Sequence, residues 1–158
     1  MASLKEIDFS GYVQLAVGSV FSTMLSLKAE SSDGDSQALM EGEKYMGMVG
    51  LAGRVSGAIC LTFSKECGNL LAASMLGVDP EEVDPSEARD VIGELCNMIG
   101  GNIKSRLCDM GYDCVLTIPS ITTGKDFKFV PLKDPIFWEY KFVTEGFLWV
   151  VRLYLKET

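Results

Sequence analysis

The chain has 158 residues, of which 47% are hydrophobic, with 22 Asp and Glu against 14 Lys and Arg. This length and composition predict one globular domain over residues 1–158. Because the sequence contains no histidine, Ser-His-Asp and Cys-His catalysis are excluded, as is any metal site with a histidine ligand. The net charge of −8 opposes binding to nucleic acid and to anionic membrane surfaces.

The five cysteines include no Cys-x-x-Cys pair, so the sequence predicts reduced thiols rather than a disulfide framework or a zinc knuckle. Residues 1–11 lack the apolar core of a signal peptide. No run approaches the length of about 18 apolar residues that a membrane span requires. We therefore expect a cytoplasmic protein without a membrane-spanning segment.

The first half of the chain predicts two helices and a hairpin. Apolar residues at three-and-four spacing predict a helix over Phe9–Leu27. The polar segment Ala29–Lys44 is typical of a loop, with room for a short edge strand. Two short apolar runs separated by Ala52, Gly53 and Arg54 have the length of paired buried strands: Tyr45–Leu51 and Val55–Phe63. The segment Ser64–Leu76 has the pattern of a short helix.

The next helix has the clearest boundaries in the sequence. Asp84 is suited to cap it, Pro85 suits the first helical position, and Glu87 stands three residues after the cap. The helix is expected to run from about Pro85 to Met110, where Gly111 ends it in a left-handed conformation.

The remaining residues predict four strands, the last two joined by a hairpin around Glu145 and Gly146. The strands are expected at Cys114–Ile118, Lys125–Val130, Phe137–Val143 and Phe147–Leu155. The order of elements predicts an α+β fold, in which two long helices and a shorter one pack on a mostly antiparallel β-sheet.

The long helix has two contrasting faces. The helical period places apolar residues on one face, which is expected to be buried: Ala88, Ile92, Leu95, Cys96, Ile99, Ile103 and Leu107. The opposite face carries Glu87, Asp90, Glu94, Asn97, Gly101 and Ser105. A solvated helix face is the ordinary explanation of such a stripe. Gly100 and Gly101, however, each cost about 1 kcal/mol relative to alanine inside a helix, and close approach of another backbone would explain them.

The setting of Glu94 and Asn97 points to a family. The stretch Gly93–Asn102, in a helix opened by Asp84 and Pro85 and followed by Leu116–Pro119, resembles the CheX branch of the CheC and CheX chemotaxis phosphatases. The resemblance implies a CheC/CheX-like fold and implies that Glu94 and Asn97 form the Glu-x-x-Asn active pair of that family. A second Glu-x-x-Asn, at Glu66 and Asn69, lies at a helix entry where both residue types are favoured locally, and we interpret it as coincidence.

The resemblance further implies that the chain dephosphorylates the aspartyl phosphate of a CheY-like response regulator. In this interpretation Asn97 positions the hydrolytic water, Glu94 pairs with a lysine of the regulator, and Asp90, Gly100 and Gly101 form the partner-binding surface. We expect the chain itself to bind no cofactor or metal, and we expect Mg²⁺ in the partner. The resemblance also implies a homodimer joined through sheet edges.

Two other roles remain compatible with the sequence. The chain is alternatively a non-catalytic CheX-like module that binds a receiver domain or a flagellar-switch component, although such switch domains generally lack the Glu and Asn pair. A third role, an acidic assembly subunit whose terminal hairpin adds strands to a neighbour, is compatible with either function.

Overall fold

Seven antiparallel strands form one sheet in the computed structural model, which describes residues 3–127, 129 and 133–158. The strands are β1 (Glu30–Ser31), β2 (Lys44–Gly53), β3 (Val55–Ser64), β4 (Cys114–Leu116), β5 (Ser120–Gly124), β6 (Ile136–Thr144) and β7 (Phe147–Glu157). Their order is β1-β6-β7-β3-β2-β4. β4 pairs with the last residues of β2, and β5 pairs with its first residues along the same edge.

Four α-helices accompany the strands, the first of them before β1 in sequence. They are α1 (Ser10–Val20), α2 (Gln37–Glu41), α3 (Lys65–Leu76) and α4 (Pro85–Asp109), with 3₁₀ turns at Leu4–Glu6 and Pro80–Glu82. α1, α3 and α4 cover one face of the sheet, which we call the inner face. Among the described residues, none of the helices combines the length and the apolar character needed to cross a membrane.

Aromatic stacking closes the core between the inner face and the first helical segment. The Trp149 ring lies 4.8 Å from the Phe21 and Phe63 rings and 5.0 Å from the Phe142 ring. The opposite, outer face has a smaller apolar cluster of Met46, Ala58 and Cys60, with Phe127, Phe129 and Tyr154 packed against it. The sheet is therefore apolar on both faces, but only the inner face has helices α1, α3 and α4 on it.

The structure confirms the α+β class and most elements. The predicted central hairpin is present, and it pairs Leu51 with Gly57 and Tyr45 with Phe63. The terminal hairpin turns at Glu145 and Gly146, whose φ values of 50° and 82° match the left-handed backbone of a two-residue turn. The edge strand expected within Ala29–Lys44 is β1, and the same segment also contains the short helix α2, which we did not predict.

Two expectations need correction. The first helix ends its α-helical part at Val20, continues as a π-helical turn over Phe21–Leu25, and stops at Ser26, whose φ is 54°. The strand expected at Lys125–Val130 is wrong, because the pairing strand is β5. The apolar alternation read as that strand includes Phe127 and Phe129, which instead pack on the outer face of the sheet. Lys128 and Val130 lie outside the described residues.

Candidate functional site

A capping box sets the start of α4. The Asp84 carboxylate accepts a hydrogen bond from the Ser86 N–H at 3.1 Å, and the Asp84 N–H donates to Glu87 Oε1 at 2.9 Å. Pro85 occupies the first turn, where its missing N–H costs nothing. This local chemistry fixes the helical phase, and the phase decides which side chains on α4 face solvent.

The inner side of α4 lies close to the sheet. All seven residues expected on its apolar face are fully buried. A Cβ added to Gly47 of β2 would collide with Cys96 Sγ and would lie 3.1 Å from Ile92 Cγ2. Missing side chains at the helix–sheet contact therefore allow α4 to approach β2.

The two glycines of α4 have different environments. Gly100 is buried, and a Cβ there would lie 2.6 Å from Cγ2 of Val49. The expectation that Gly100 belongs to the partner-binding surface is therefore wrong, because the residue faces the sheet and its missing side chain serves internal packing. Gly101 is half-buried, and a Cβ there would meet no atom within 4 Å beyond the backbone of its own helix. Gly101 therefore leaves the helix surface beside Asn97 without a side chain.

Glu94 and Asn97 are both exposed, one helical turn apart. In the part of the chain that the structure describes, neither side chain makes a hydrogen bond or an ion pair. Asp90 is exposed on the preceding turn. Thus an acid and an amide project from a capped helix with their polar atoms available to another molecule.

A groove runs beside these two side chains. It is lined by Arg89, Asp90, Gly93, Glu94, Asn97, Pro119 and Ile121. Pro119 and Ile121 approach α4 at Gly93, where an added Cβ would lie 3.8 Å from each of them. The Arg89 guanidinium donates to Thr123 Oγ1 at 2.9 Å and so ties β5 to the helix.

The contributions of Arg89 and Ile121 to this groove were missed in the sequence. Ile121 belongs to β5, whereas the sequence predicts a strand only from Lys125 onwards in this region. Arg89 precedes Asp90 in an ordinary charged stretch, and no local pattern marks it as a groove residue. The available signal was the stretch Leu116–Pro119, which the family resemblance associates with this helix.

The second Glu-x-x-Asn lies in a different environment. Asn69 is half-buried, and its Oδ1 accepts a hydrogen bond from the Tyr45 hydroxyl at 3.1 Å. Its amide oxygen is thus engaged inside the protein, in contrast to that of Asn97. This contact supports our interpretation that Glu66 and Asn69 match the pattern by chance.

The cysteines do not supply a reactive thiol at the groove. Burial raises the pKa of Cys60 and of Cys67 to about 12, and it also raises the pKa of Cys96, the cysteine closest in sequence to Asn97. These thiols stay protonated at neutral pH. Within the described ranges, no group of three or more His, Cys, Asp or Glu is arranged to hold a metal ion. The groove therefore offers carboxylate and carboxamide groups for chemistry.

Comparison with known proteins places this geometry in a family. The family model described as "Chemotaxis phosphatase CheX" matches residues 45–140, which include the central hairpin, α3 and all of α4. The chain belongs to the CheX family. The Thermotoga maritima protein described as "CheY-P phosphatase CheX" is 29% identical over 133 residues, covering 78% of this chain and 85% of that protein.

Solved structures of the CheX family share the fold. The chemotaxis protein CheX of Vibrio vulnificus superposes with a TM-score of 0.81 at 20% identity, covering 98% of this chain and 100% of that chain. The CheX of Borrelia burgdorferi, crystallised as a CheX-CheY-BeF3-Mg²⁺ complex, gives a TM-score of 0.76 at 24% identity, covering 96% and 99% of the two chains. At these identities the comparison shows the fold.

Proposed function

We propose that this chain is a phosphatase that removes the phosphoryl group from the aspartyl phosphate of a CheY-like response regulator. The observation that carries the proposal is that the Glu94 and Asn97 side chains are exposed, without internal hydrogen bonds, on a helix packed closely against the sheet. The Thermotoga maritima relative is named as a CheY-P phosphatase, and the Borrelia burgdorferi relative was crystallised with CheY. The proposal assigns the protein to the cytoplasm, where response regulators act.

Asn97 is the catalytic residue of this proposal. An aspartyl phosphate is an acyl phosphate, so hydrolysis needs chiefly a water molecule held in line with the phosphorus–oxygen bond that breaks. The Asn97 carboxamide accepts a hydrogen bond from that water through its oxygen, and its N–H groups donate to phosphoryl oxygens without repelling them. Water oxygen bonds to phosphorus, the aspartate carboxylate leaves, and the water protons pass to phosphate and solvent.

Glu94 and its neighbours dock the regulator. A carboxylate next to phosphate is a poor water ligand because the two anions repel, whereas it pairs well with an ammonium group. We assign Glu94 to a lysine in the active site of the regulator, with Asp90 adding attraction for basic groups at its rim. Gly101 leaves room for the regulator surface. Mg²⁺ belongs to the regulator, where it neutralises charge on the phosphoryl group.

The proposal includes a homodimer joined at the free edge of β6, on the side away from β7. β1 pairs only with Phe142 and Val143, and Ser32 N–H donates to the Lys141 carbonyl at 3.0 Å. Among the described residues, no backbone hydrogen bond reaches the edge of Ile136–Tyr140. An uncovered strand edge of this length is a template for a second chain.

The decisive experiment follows the decay of the phosphorylated regulator in the presence of Mg²⁺. Asn97→Ala is expected to reduce the acceleration of decay by about 100-fold, because the attacking water loses its orientation. Asn102→Ala is the matched control, because Asn102 is exposed on the same helix and its hydrogen bond from the Tyr12 hydroxyl goes to the backbone carbonyl, which the substitution keeps. This variant should retain full activity.

Two outcomes would contradict the proposal. Equal activity of Asn97→Ala and the unmodified protein would remove Asn97 from catalysis. Binding of the phosphorylated regulator without a shorter phosphoryl lifetime would instead favour the non-catalytic binding module.

A further inference from the structure

The outer face of the sheet contains a cleft that is separate from the groove on α4. Its volume is about 590 Å³, within the range of small-molecule sites. Apolar and aromatic side chains form most of its wall: Met46, Cys60, Phe127, Phe129 and Tyr154. Strands β2, β3 and β7 provide its floor.

A buried ammonium group lines this cleft. Lys44 is only 2% exposed, and its Nζ donates to the carbonyls of Met40 and Lys125, each at 2.7 Å. Nζ also lies 4.4 Å from the centre of the Phe127 ring. None of the ion pairs among the described residues includes Lys44. A buried cation without an ion pair is costly and attracts a carboxylate.

The other charged groups of the cleft do not supply that carboxylate. Glu41 and Asp126 line it without forming an ion pair with Lys44. Burial lowers the pKa of Lys44, and the Asp126 carboxylate offsets only part of that effect. Arg152 is neutralised by Glu139, whose Oε2 accepts from Arg152 Nε at 2.7 Å. Among the described residues, Lys44 is therefore a buried cation that forms no ion pair.

An unpartnered hydroxyl group lies close to this lysine. Thr62 is 1% exposed, and its Oγ1 has no hydrogen-bond partner in the described part of the protein. Thr62 pairs directly with Met46 across the two strands, and Lys44 stands two residues before Met46 on the same face. Lys44 and Thr62 are thus diagonal neighbours, a relationship that spans roughly 7–8 Å between Cα atoms.

We propose that this cleft binds a small molecule that carries one carboxylate on an apolar body. The carboxylate contacts the Lys44 ammonium and accepts a hydrogen bond from Thr62 Oγ1, and the apolar body packs against Met46 and the two phenylalanine rings. One ammonium and one hydroxyl suit a monoanion, whereas a phosphate dianion requires more donors. The inference stands independently of the proposed phosphatase activity, because it uses none of the groove residues.

Octanoate and octylamine, which share a hydrocarbon chain and differ in the sign of their charge, test the ligand class. Titration of each into ¹⁵N-labelled protein is followed by amide chemical shifts. Octanoate is expected to give saturable shifts centred on Lys44, Met46 and Thr62, and octylamine is expected to give none there. Equal shifts from both probes, shifts that never saturate, or shifts confined to other elements would overturn the proposal.

Variants of the cleft test the contacts. Thr62→Val keeps the side-chain shape and removes the hydroxyl, so octanoate affinity should fall about fivefold. Thr23→Val, at an exposed threonine on the first helical segment, is the matched control and should bind normally. Cys60→Phe fills the cleft and should abolish binding while the circular dichroism spectrum is retained. Unchanged octanoate affinity in Thr62→Val, or in a folded Cys60→Phe, would overturn the proposal.

Discussion

Gly100 packs against Val49 so closely that a Cβ on the glycine would lie 2.6 Å from Cγ2 of the valine. This contact sets the depth at which α4 lies on β2, one turn after Asn97. Asn97 projects from the other side of the helix and is exposed. The approach of the helix to the sheet and the exposure of the proposed catalytic amide thus depend on the same turn of α4.

The adjacent glycines of α4 should respond oppositely to alanine. Gly100→Ala forces a methyl group into Val49, and we expect a loss of about 1–2 kcal/mol in the free energy of unfolding despite the better helix propensity. Gly101→Ala meets no atom and should stabilise by about 0.5–1 kcal/mol. Urea unfolding measures both changes, and a stabilised Gly100→Ala would show that the contact with Val49 is unimportant.

Gly101→Ala also tests the docking surface. Its methyl group would project beside Asn97, so the concentration of regulator that gives half-maximal dephosphorylation should rise although the protein is more stable. The assay with the phosphorylated regulator checks this. An unchanged concentration dependence would show that the regulator does not approach Gly101.

Glu94→Ala should weaken docking more than catalysis. If Glu94 pairs with a lysine of the regulator, its loss raises the half-saturating regulator concentration, while the rate at saturation stays close to that of the unmodified protein. Glu94→Gln keeps the size and removes the charge, so the binding of this variant should depend less on ionic strength than that of the unmodified protein. A Glu94→Ala variant with a low rate at saturating regulator would assign Glu94 to the chemical step.

The capping box should contribute measurably to stability. Asp84→Ala removes the acceptor for the Ser86 N–H, so the free energy of unfolding should fall by about 1 kcal/mol. Asp79→Ala is the matched control, because Asp79 precedes a 3₁₀ turn without a side-chain cap bond. Thermal unfolding followed by circular dichroism compares the two variants, and equal shifts in the midpoint would exclude a special role for the cap.

Buried thiols should make the protein less stable at alkaline pH. Burial raises the pKa of Cys67 from the ordinary 9.0 to about 12, so the unfolded chain releases this proton at lower pH than the folded chain. The contribution of the protonated Cys67 thiol to the free energy of unfolding is complete below pH 9 and is lost as the pH rises toward 12. Cys67→Ala should therefore show a shallower decline of unfolding free energy with pH than the unmodified protein, and parallel curves would contradict this assignment.

The edge of β6 should determine the oligomeric state. The Lys141 carbonyl faces β1, and residues two apart along a strand share that direction, so the Phe137 backbone faces the open edge. Phe137→Pro removes an edge N–H while leaving the bonds to β7, and light scattering should report a monomer. Phe137→Ala removes the ring but keeps the N–H and should remain a dimer. A monomeric mass for the unmodified protein would contradict the proposed homodimer.

The predictions that succeeded from the sequence rest on local chemistry. Asp84, Pro85 and Glu87 mark the start of α4, and the helical period then separates the buried Ile99 from the exposed Asn97. The turn at Glu145 and Gly146 is equally local. In each case the residues that decide the structure lie within a few positions of one another, so the sequence pattern predicts the element without knowledge of the fold.

Features that join distant segments of the chain follow from the folded structure and not from local sequence. Gly100 and Gly101 are adjacent in sequence, yet one faces Val49 and the other faces solvent. The groove also requires Ile121, and the outer cleft brings Lys44 of β2 next to Thr62 of β3. The packing of α4, β5 and the sheet sets these contacts. Burial and charge pairing depend on residues that are close in space but distant in sequence. Capping and helical periodicity depend on neighbours along the chain.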